Sequence, residues 1–342
     1  DSLVDANIVN RAMIGEMNLL PQIKFPTDSG VNSGKLVGPV DFVIEGGDIA
    51  NRMEIPIQSA AASWAQFEAD YGKEISLKNR FGKRTQLLMI PGNHDITDAI
   101  GFYRLMNPKT DATAMTKIYN LMMSPVKPLD KTQYNYSKDK INYSKNINGI
   151  HLMFITLWPD SSERIWMKKD LHNISPGLPV ILFTHDQPEA EAKHFTNPNE
   201  NGGINAHDRF ENLLAEHYKD STAAVPDNGN TTMEQVGWVN FLLAHRNIVA
   251  YFHGNDNFNQ YYVYKGPDST VALNTFRVDS PIKGDESSKY ESKLSFQVIT
   301  INTKSLTMTV RECLWNDDLP DQANSVKWGQ SKTVSLRVPQ PQ

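Results

Sequence analysis

The sequence predicts an α/β domain that finishes in antiparallel strands, on three observations. Short apolar runs at Val40–Glu45, Gln86–Ile90, Leu178–Phe183 and Ile248–Phe252 alternate with stretches of helical period, the pattern of strands joined by helices. From Gln260 onward the pattern changes. Gln260–Tyr264, Val271–Val278, Lys293–Asn302 and Ser305–Cys313 alternate apolar and polar residues, as half-exposed antiparallel strands do. Third, no internal repeat or long linker divides the 342 residues, so one domain spans 1–342.

Each element has a local reason. Val4, Ile8, Met13, Met17 and Leu20 recur at helical spacing, and Ser2-Leu3-Val4-Asp5 resembles a capping box, so Asp1–Leu20 is read as a helix that Pro21 stops. A sheet of this class opens with a strand. A chain that opens on a helix cap therefore predicts an earlier strand upstream of Asp1. Ile57–Tyr71 is read as a helix with Trp64 and Phe67 inward, followed by a short helix around Met115–Met123 and a hairpin around Tyr134–Asn146. Gly149–Leu157 is a strand, Ser162–Leu171 a helix with Ile165, Trp166 and Leu171 inward, and Met233–Ala244 a helix. Asn302-Thr303-Lys304 suits a hairpin turn. The polar segment at about 189–230 reads as an insertion, with a core pattern only over Phe210–Tyr218.

A net charge of −5 gives no reason to expect a nucleic-acid partner. No run approaches the roughly 18 apolar residues of a membrane span. With Cys313 the single cysteine, an intrachain disulfide and a Cys-based zinc site are both excluded within this sequence. The Tyr- and Asn-rich composition is compatible with a secreted or periplasmic protein.

Chemistry concentrates at the strand ends. The Val40 run closes in Gly46-Gly47-Asp48, the Gln86 run in Pro91-Gly92-Asn93-His94-Asp95, the Leu178 run in Thr184-His185-Asp186-Gln187-Pro188, and the Ile248 run in His253-Gly254-Asn255-Asp256-Asn257. Each alone is an ordinary polar turn. Four in succession place metal-competent side chains along the carboxyl edge of one sheet, where α/β proteins bind ligands. Asn offers a carbonyl oxygen, His a nitrogen base, and Asp a charge.

With these motifs the chain resembles the calcineurin-like metallophosphoesterase superfamily over nearly its whole length. That family carries Asp-x-His, Gly-Asp, Gly-Asn-His-Asp or Glu, a lone His, and Gly-His-x-His, each at a strand end. The resemblance implies a layered α-β-β-α sandwich with antiparallel C-terminal strands, and a dinuclear site of divalent transition metal (Mn, Fe or Zn). It implies Asp48 as the bridging ligand, Asn93 and His185 as ligands of the second cation, and His94 with Asp95 as the catalytic pair. The implied activity is hydrolysis of a small phosphomonoester or phosphodiester by a metal-bound hydroxide. Two departures qualify it. The first Asp-x-His is absent, since Asp1-Ser2-Leu3 has Leu in the His place and no preceding strand. Gly254-Asn255-Asp256-Asn257 stands where Gly-His-x-His is expected, leaving Asn255 and Asn257 as weaker candidate ligands and His253 as a possible substitute. One cation or none is then expected in the chain as given, and the rival reading is a binding module whose metal site has decayed. Arg52, following Asp48 by four residues, is a candidate phosphate clamp; His194 is a candidate substrate contact from the insertion; Trp158 and Asp160 are candidate cleft borders.

Overall fold

The computed structural model describes residues 6–49, 59–96, 111–136, 138–190, 197–200, 203–205, 232–281, 294–315 and 326–339. The capping box at Ser2–Asp5, Arg52, His194 and the Phe210–Tyr218 segment lie outside them. In order, the elements are α1 (Ala6–Leu19), β1 (Phe42–Glu45), α2 (Ala60–Ala69), β2 (Gln86–Met89), α3 (Thr113–Met123), β3 (Tyr143–Ile147), β4 (Ile150–Phe154), α4 (Ser161–His172) and β5 (Val180–Phe183). There follow β6 (Asn197–Glu200), β7 (Gly203–Asn205), α5 (Thr232–Ala244), β8 (Ile248–His253), β9 (Gln260–Tyr264), β10 (Leu273–Arg277), β11 (Ser295–Asn302), β12 (Thr307–Leu314) and β13 (Lys327–Ser335). No helix among the described residues is long and apolar enough to cross a membrane.

Among the described residues the strands form four sheets: a parallel pair β1-β2, a six-stranded mixed sheet β3-β4-β5-β8-β10-β9, an antiparallel β11-β12-β13, and the small hairpin β6-β7. The six-stranded sheet packs one face against β1-β2 and β11-β12-β13. Phe42, Ile44, Leu88, Ile299, Ile301, Met308 and Val310 meet Leu152, Phe154, Ile181, Phe183, Phe252 and Phe276 there. One aromatic ring from each of five neighbouring strands stacks along this face. The rings of Tyr143, Phe154, Phe183, Phe252 and Phe276 follow at 4.6, 4.9, 5.0 and 4.8 Å between centroids, and such a ladder fixes side-chain register across strands. The other face is covered by α4 and α5 through Met167, Leu171, Trp238 and Leu242. Helix α1 covers β1 and β11, while α2 and α3 cover β2. These are the α-β-β-α layers.

Several local expectations are corrected. The buried stripe of α1 is Val9, Met13, Ile14, Met17 and Leu20, with Ile8 62% exposed; positions 9 and 13 lie on one face at 3.6 residues per turn, whereas 8 and 13 do not. The hairpin falls at β3-β4, later than Tyr134–Asn146, because Asn148 and Gly149 both take positive φ (48° and 84°) and make the two-residue turn that matches strand twist. β13 went unforeseen; it is an edge strand with a mostly exposed, polar surface.

Helix α4 buries Glu163, Met167 and Leu171, and Ile165 points outward at 67% exposure. Its N-cap is Asp160, which accepts the Glu163 amide at 2.8 Å. Glu163 receives Asn142 Nδ2 and lies 3.3 Å from Lys140 Nζ. Burial raises its carboxyl most, Lys140 partly opposes, and the Asp160 charge adds to the rise, so the group moves from 4.5 up to about 7. A carboxyl raised on folding stabilises the fold below its unfolded pKa, and that contribution is lost as pH rises through the folded one. Glu163→Gln should remove it. Wild type should therefore lose about 3 kcal/mol relative to the variant between pH 5 and pH 8, measured by urea unfolding at both; parallel stability–pH curves would rule this out.

Candidate active site

Strands β1 and β2 run parallel with Glu45 opposite Met89, so their loops emerge at one level. The loop after β1 turns through Gly47 at φ 96° and Asp48 at φ 61°, and the left-handed conformation throws the Asp48 carboxylate over the neighbouring loop. After β2, Pro91-Gly92 leads into a single 3-10 turn, Asn93–Asp95. The loops touch backbone to backbone. Asp95 binds them together: its Oδ2 accepts the Gly92 amide at 2.8 Å and the Asp48 amide at 2.9 Å, with the side chain fully buried. In return Asp48 Oδ1 accepts the His94 amide at 2.9 Å.

A Cβ on Gly92 would collide with the Asp48 amide nitrogen and carboxylate, and one on Gly47 would collide with the Gly92 backbone and the His185 ring. Gly92→Ala is expected to cost about 2–3 kcal/mol in urea unfolding, since the obstructing atoms are held by Asp95. A loss below 0.5 kcal/mol would mean that the loops can part.

His185 follows β5 and is 2% exposed. Its Nδ1 lies 2.7 Å from the Gly46 carbonyl oxygen, a contact that requires an N–H there. Its Nε2 lies 3.1 Å from Asn93 Oδ1 and 3.3 Å from Asp48 Oδ2. Burial lowers the imidazole pKa, but the charge and hydrogen bond of Asp48, the charge of Asp186 and the Gly46 carbonyl outweigh it and raise it to about 10. The loop that carries His185 is fixed from below: Trp158 Nε1 donates to the Gln187 carbonyl at 2.8 Å, and Tyr251 Oη donates to the Asp186 carbonyl at 2.7 Å. Trp158 is therefore a buried support for this loop, and Asp160 a helix cap; neither borders an open cleft.

The structure brings Asp48, Asn93, His94, Asp95 and His185 together. His253 ends β8 with Nε2 3.1 Å from Tyr262 Oη, and Tyr262 reaches Glu189 at 3.4 Å, on the helix-covered face with Tyr251. Asn255 and Asn257 take positive φ (69° and 55°). Asn255 Nδ2 donates to Gln187 Oε1 at 3.1 Å and Asn257 Nδ2 to the Asn255 carbonyl at 3.0 Å. Sequence reasoning missed Glu45, whose Oε2 accepts the Gly47 amide at 3.0 Å and steadies the turn before Asp48. An acidic residue closing a buried strand directly ahead of Gly-Gly-Asp was the available signal.

The description calcineurin-like phosphoesterase is that of the family model matched by residues 18–279. The chain belongs to that family. Among solved structures, a dimetal phosphatase from Danio rerio is similar at 10% identity and TM-score 0.40, covering 80% of this chain and 81% of that one. A putative 5'-nucleotidase from Staphylococcus aureus in complex with alpha-ketoglutarate is similar at 9% identity and TM-score 0.30, covering 94% of this chain and 53% of that one. No curated protein matches the sequence.

A calcineurin-like phosphoesterase implies bound metal, and the donor geometry tests the fit. Ligand atoms about 2.1 Å from a cation and at right angles are roughly 3 Å apart. The spacings of 3.1 and 3.3 Å from His185 Nε2 to Asn93 and Asp48 agree with that. The Nδ1 bond to a backbone carbonyl is the arrangement that turns the Nε2 lone pair to a metal. These residues fit one cation. Among the described residues no three of His, Cys, Asp and Glu cluster as a metal site; the set here is one Asp, one His and one Asn.

Proposed function

We propose that the protein is a metal-dependent hydrolase of small phosphomonoesters or phosphodiesters. The observation that carries this reading is the convergence of Asp48 Oδ2 and Asn93 Oδ1 on His185 Nε2 at 3.3 and 3.1 Å, within two loops locked together by Asp95. Asp48, Asn93 and His185 would hold a divalent transition metal, Mn, Fe or Zn. When bound, such a cation neutralises the charge of the ester and lowers the pKa of water. The chain's own residues set the geometry. Asp48 is fixed by its backbone conformation and by the His94 amide, so the carboxylate needs no reorganisation when substrate arrives. His94, in the same turn as Asn93, is the candidate proton donor to the leaving oxygen.

The test is turnover of p-nitrophenyl phosphate and bis(p-nitrophenyl) phosphate by protein purified with Mn²⁺, Fe²⁺ or Zn²⁺. Hydrolysis that rises with metal and falls on chelation supports the reading. No turnover across a phosphoester panel with any of the three metals overturns it.

A further inference from the structure

Away from the proposed site, one cavity gathers charge of a single sign. It is an open groove of about 1500 Å³ at the amino ends of β5 and β8, the sheet edge opposite His185 and Asp48. Its walls are the last two turns of α4, the end of α5 with the loop into β8, the turn between β11 and β12, and the segment after β13. Lys168, Lys169, His172, His245, Arg246 and Arg337 line it, and no Asp or Glu does. The whole chain holds 39 Asp and Glu against 34 Lys and Arg, so an all-basic lining runs against the average charge. Among the described residues the side chains of Lys168, Lys169, Arg246 and Arg337 take part in no hydrogen bond or ion pair.

On α4 the lining is a continuous face. Ile165, Lys168, Lys169 and His172 fall at i, i+3, i+4 and i+7, one stripe of a helix, while Glu163, Met167 and Leu171 are buried beside it. Across the groove His245 and Arg246 follow α5. Burial and the charge of Lys168 lower the His245 imidazole, so the two helix ends bring like charges together. Basic residues near a helix carboxyl end complement its dipole, which accounts for the sign on α4 and α5. It accounts neither for Arg337, which follows a strand, nor for the apolar side chains that stand in water among the cations. Ile165 is 67% exposed and Leu243 38%. Unpaired cations call for an anion and exposed aliphatic side chains for hydrocarbon, and an anionic lipid surface offers both.

We propose that this groove docks the protein on an anionic phospholipid bilayer, with lipid phosphates among Lys168, Arg246 and Arg337 and with Ile165 and Leu243 at the acyl boundary. A soluble polyanion would use the cations and leave Ile165 and Leu243 in water. A neutral membrane would use those two and leave the cations unpaired. Each Lys or Arg near such a surface strengthens binding about fivefold. With a net charge of −5 the chain as a whole is repelled by the same surface, so attraction requires this edge to face it. Docked so, the carboxyl edge with Asp48 and His185 points away from the bilayer into solvent, where a small substrate arrives. The inference stands on the amino edge alone and goes beyond the phosphoesterase reading.

The test is co-sedimentation with vesicles of equal parts phosphatidylglycerol and phosphatidylcholine, and with vesicles of phosphatidylcholine alone. Wild type should sediment with the first and stay in solution with the second. Lys168→Ala/Arg246→Ala should weaken the partition about 20-fold, and Ile165→Ser about fivefold. All three side chains are exposed, so circular dichroism and melting temperature should not change. Lys83→Ala/Lys117→Ala removes the same charge from exposed positions elsewhere and should sediment as wild type does. Four results would overturn the proposal. They are no sedimentation with phosphatidylglycerol vesicles, equal sedimentation with phosphatidylcholine alone, and an equal loss in the two double variants, which would reduce the effect to net charge. The fourth is a wild-type partition in Ile165→Ser with full release by free glycerol phosphate, which would make the groove a site for a soluble anion. Sedimentation needs neither metal nor turnover, so binding without hydrolysis would leave the docking surface standing while the phosphoesterase reading fails. Hydrolysis without binding would do the reverse.

Discussion

Asp48→Asn should lower turnover of p-nitrophenyl phosphate at saturating Mn²⁺ by at least about 100-fold while leaving the protein folded. The substitution is chosen for its backbone. Asp48 sits at φ 61°, a conformation that Asn adopts more readily than Ala, so a loss of activity cannot be assigned to a distorted loop. Asn keeps an Oδ1 that accepts the His94 amide, now 2.9 Å from the carboxylate. It loses the negative charge that faces the imidazole 3.3 Å away and that the proposed cation would need. Calorimetric titration with Mn²⁺ should show at least a tenfold weaker affinity. Wild-type kcat/KM in the variant would remove Asp48 from the site and, with it, the metal arrangement proposed for His185 and Asn93.

β5 and β8 were legible because burial on both faces leaves an unbroken apolar run, and the succession of four polar strand ends pointed to one sheet edge. Val180–Phe183 and Ile248–Phe252 are buried throughout. Legibility failed where the environment of a residue is set by tertiary contact. Glu163 occupies the buried stripe of α4, so the apolar pattern pointed to Ile165, which faces solvent. β13 carries its single strong core contact at Val334, too little for a pattern. Asn148-Gly149 is a stronger local turn signal than the longer polar stretch before it, since both residues take positive φ. At the site, Gly-Asn-His-Asp could be recognised as a unit, but not that Asp95 faces two backbone amides, because that depends on β1 and β2 being paired in one register.

At the far end of the site the side-chain amides of Asn255 and Asn257 donate to Gln187 Oε1 and to the Asn255 carbonyl, contacts within the loop region that the sequence could not show.

Asp95→Ala carries the largest expected effect on stability, about 3–5 kcal/mol in urea unfolding. Its carboxylate is fully buried and one oxygen receives both the Gly92 and Asp48 amides. Truncation leaves two N–H donors without an acceptor in a place that water cannot enter without parting the loops, at roughly 1–3 kcal/mol each. It also removes the charge-assisted bond from Asp95 to the Asp48 amide, leaving that of Asp48 Oδ1 with the His94 amide, where neither loop has a side chain at Gly92 or Gly47 to pack. Asp95→Asn keeps an oxygen for the amides and should recover about half of the loss. Because Asp95 acts through Asp48, the effect should extend beyond stability. At a temperature where Asp95→Ala remains folded, Mn²⁺ affinity should fall at least tenfold and should recover in Asp95→Asn, which a purely structural role would not require. An Asp95→Ala protein within 1 kcal/mol of wild type, binding Mn²⁺ normally, would show that the loops hold their own positions and that Asp95 is not their brace.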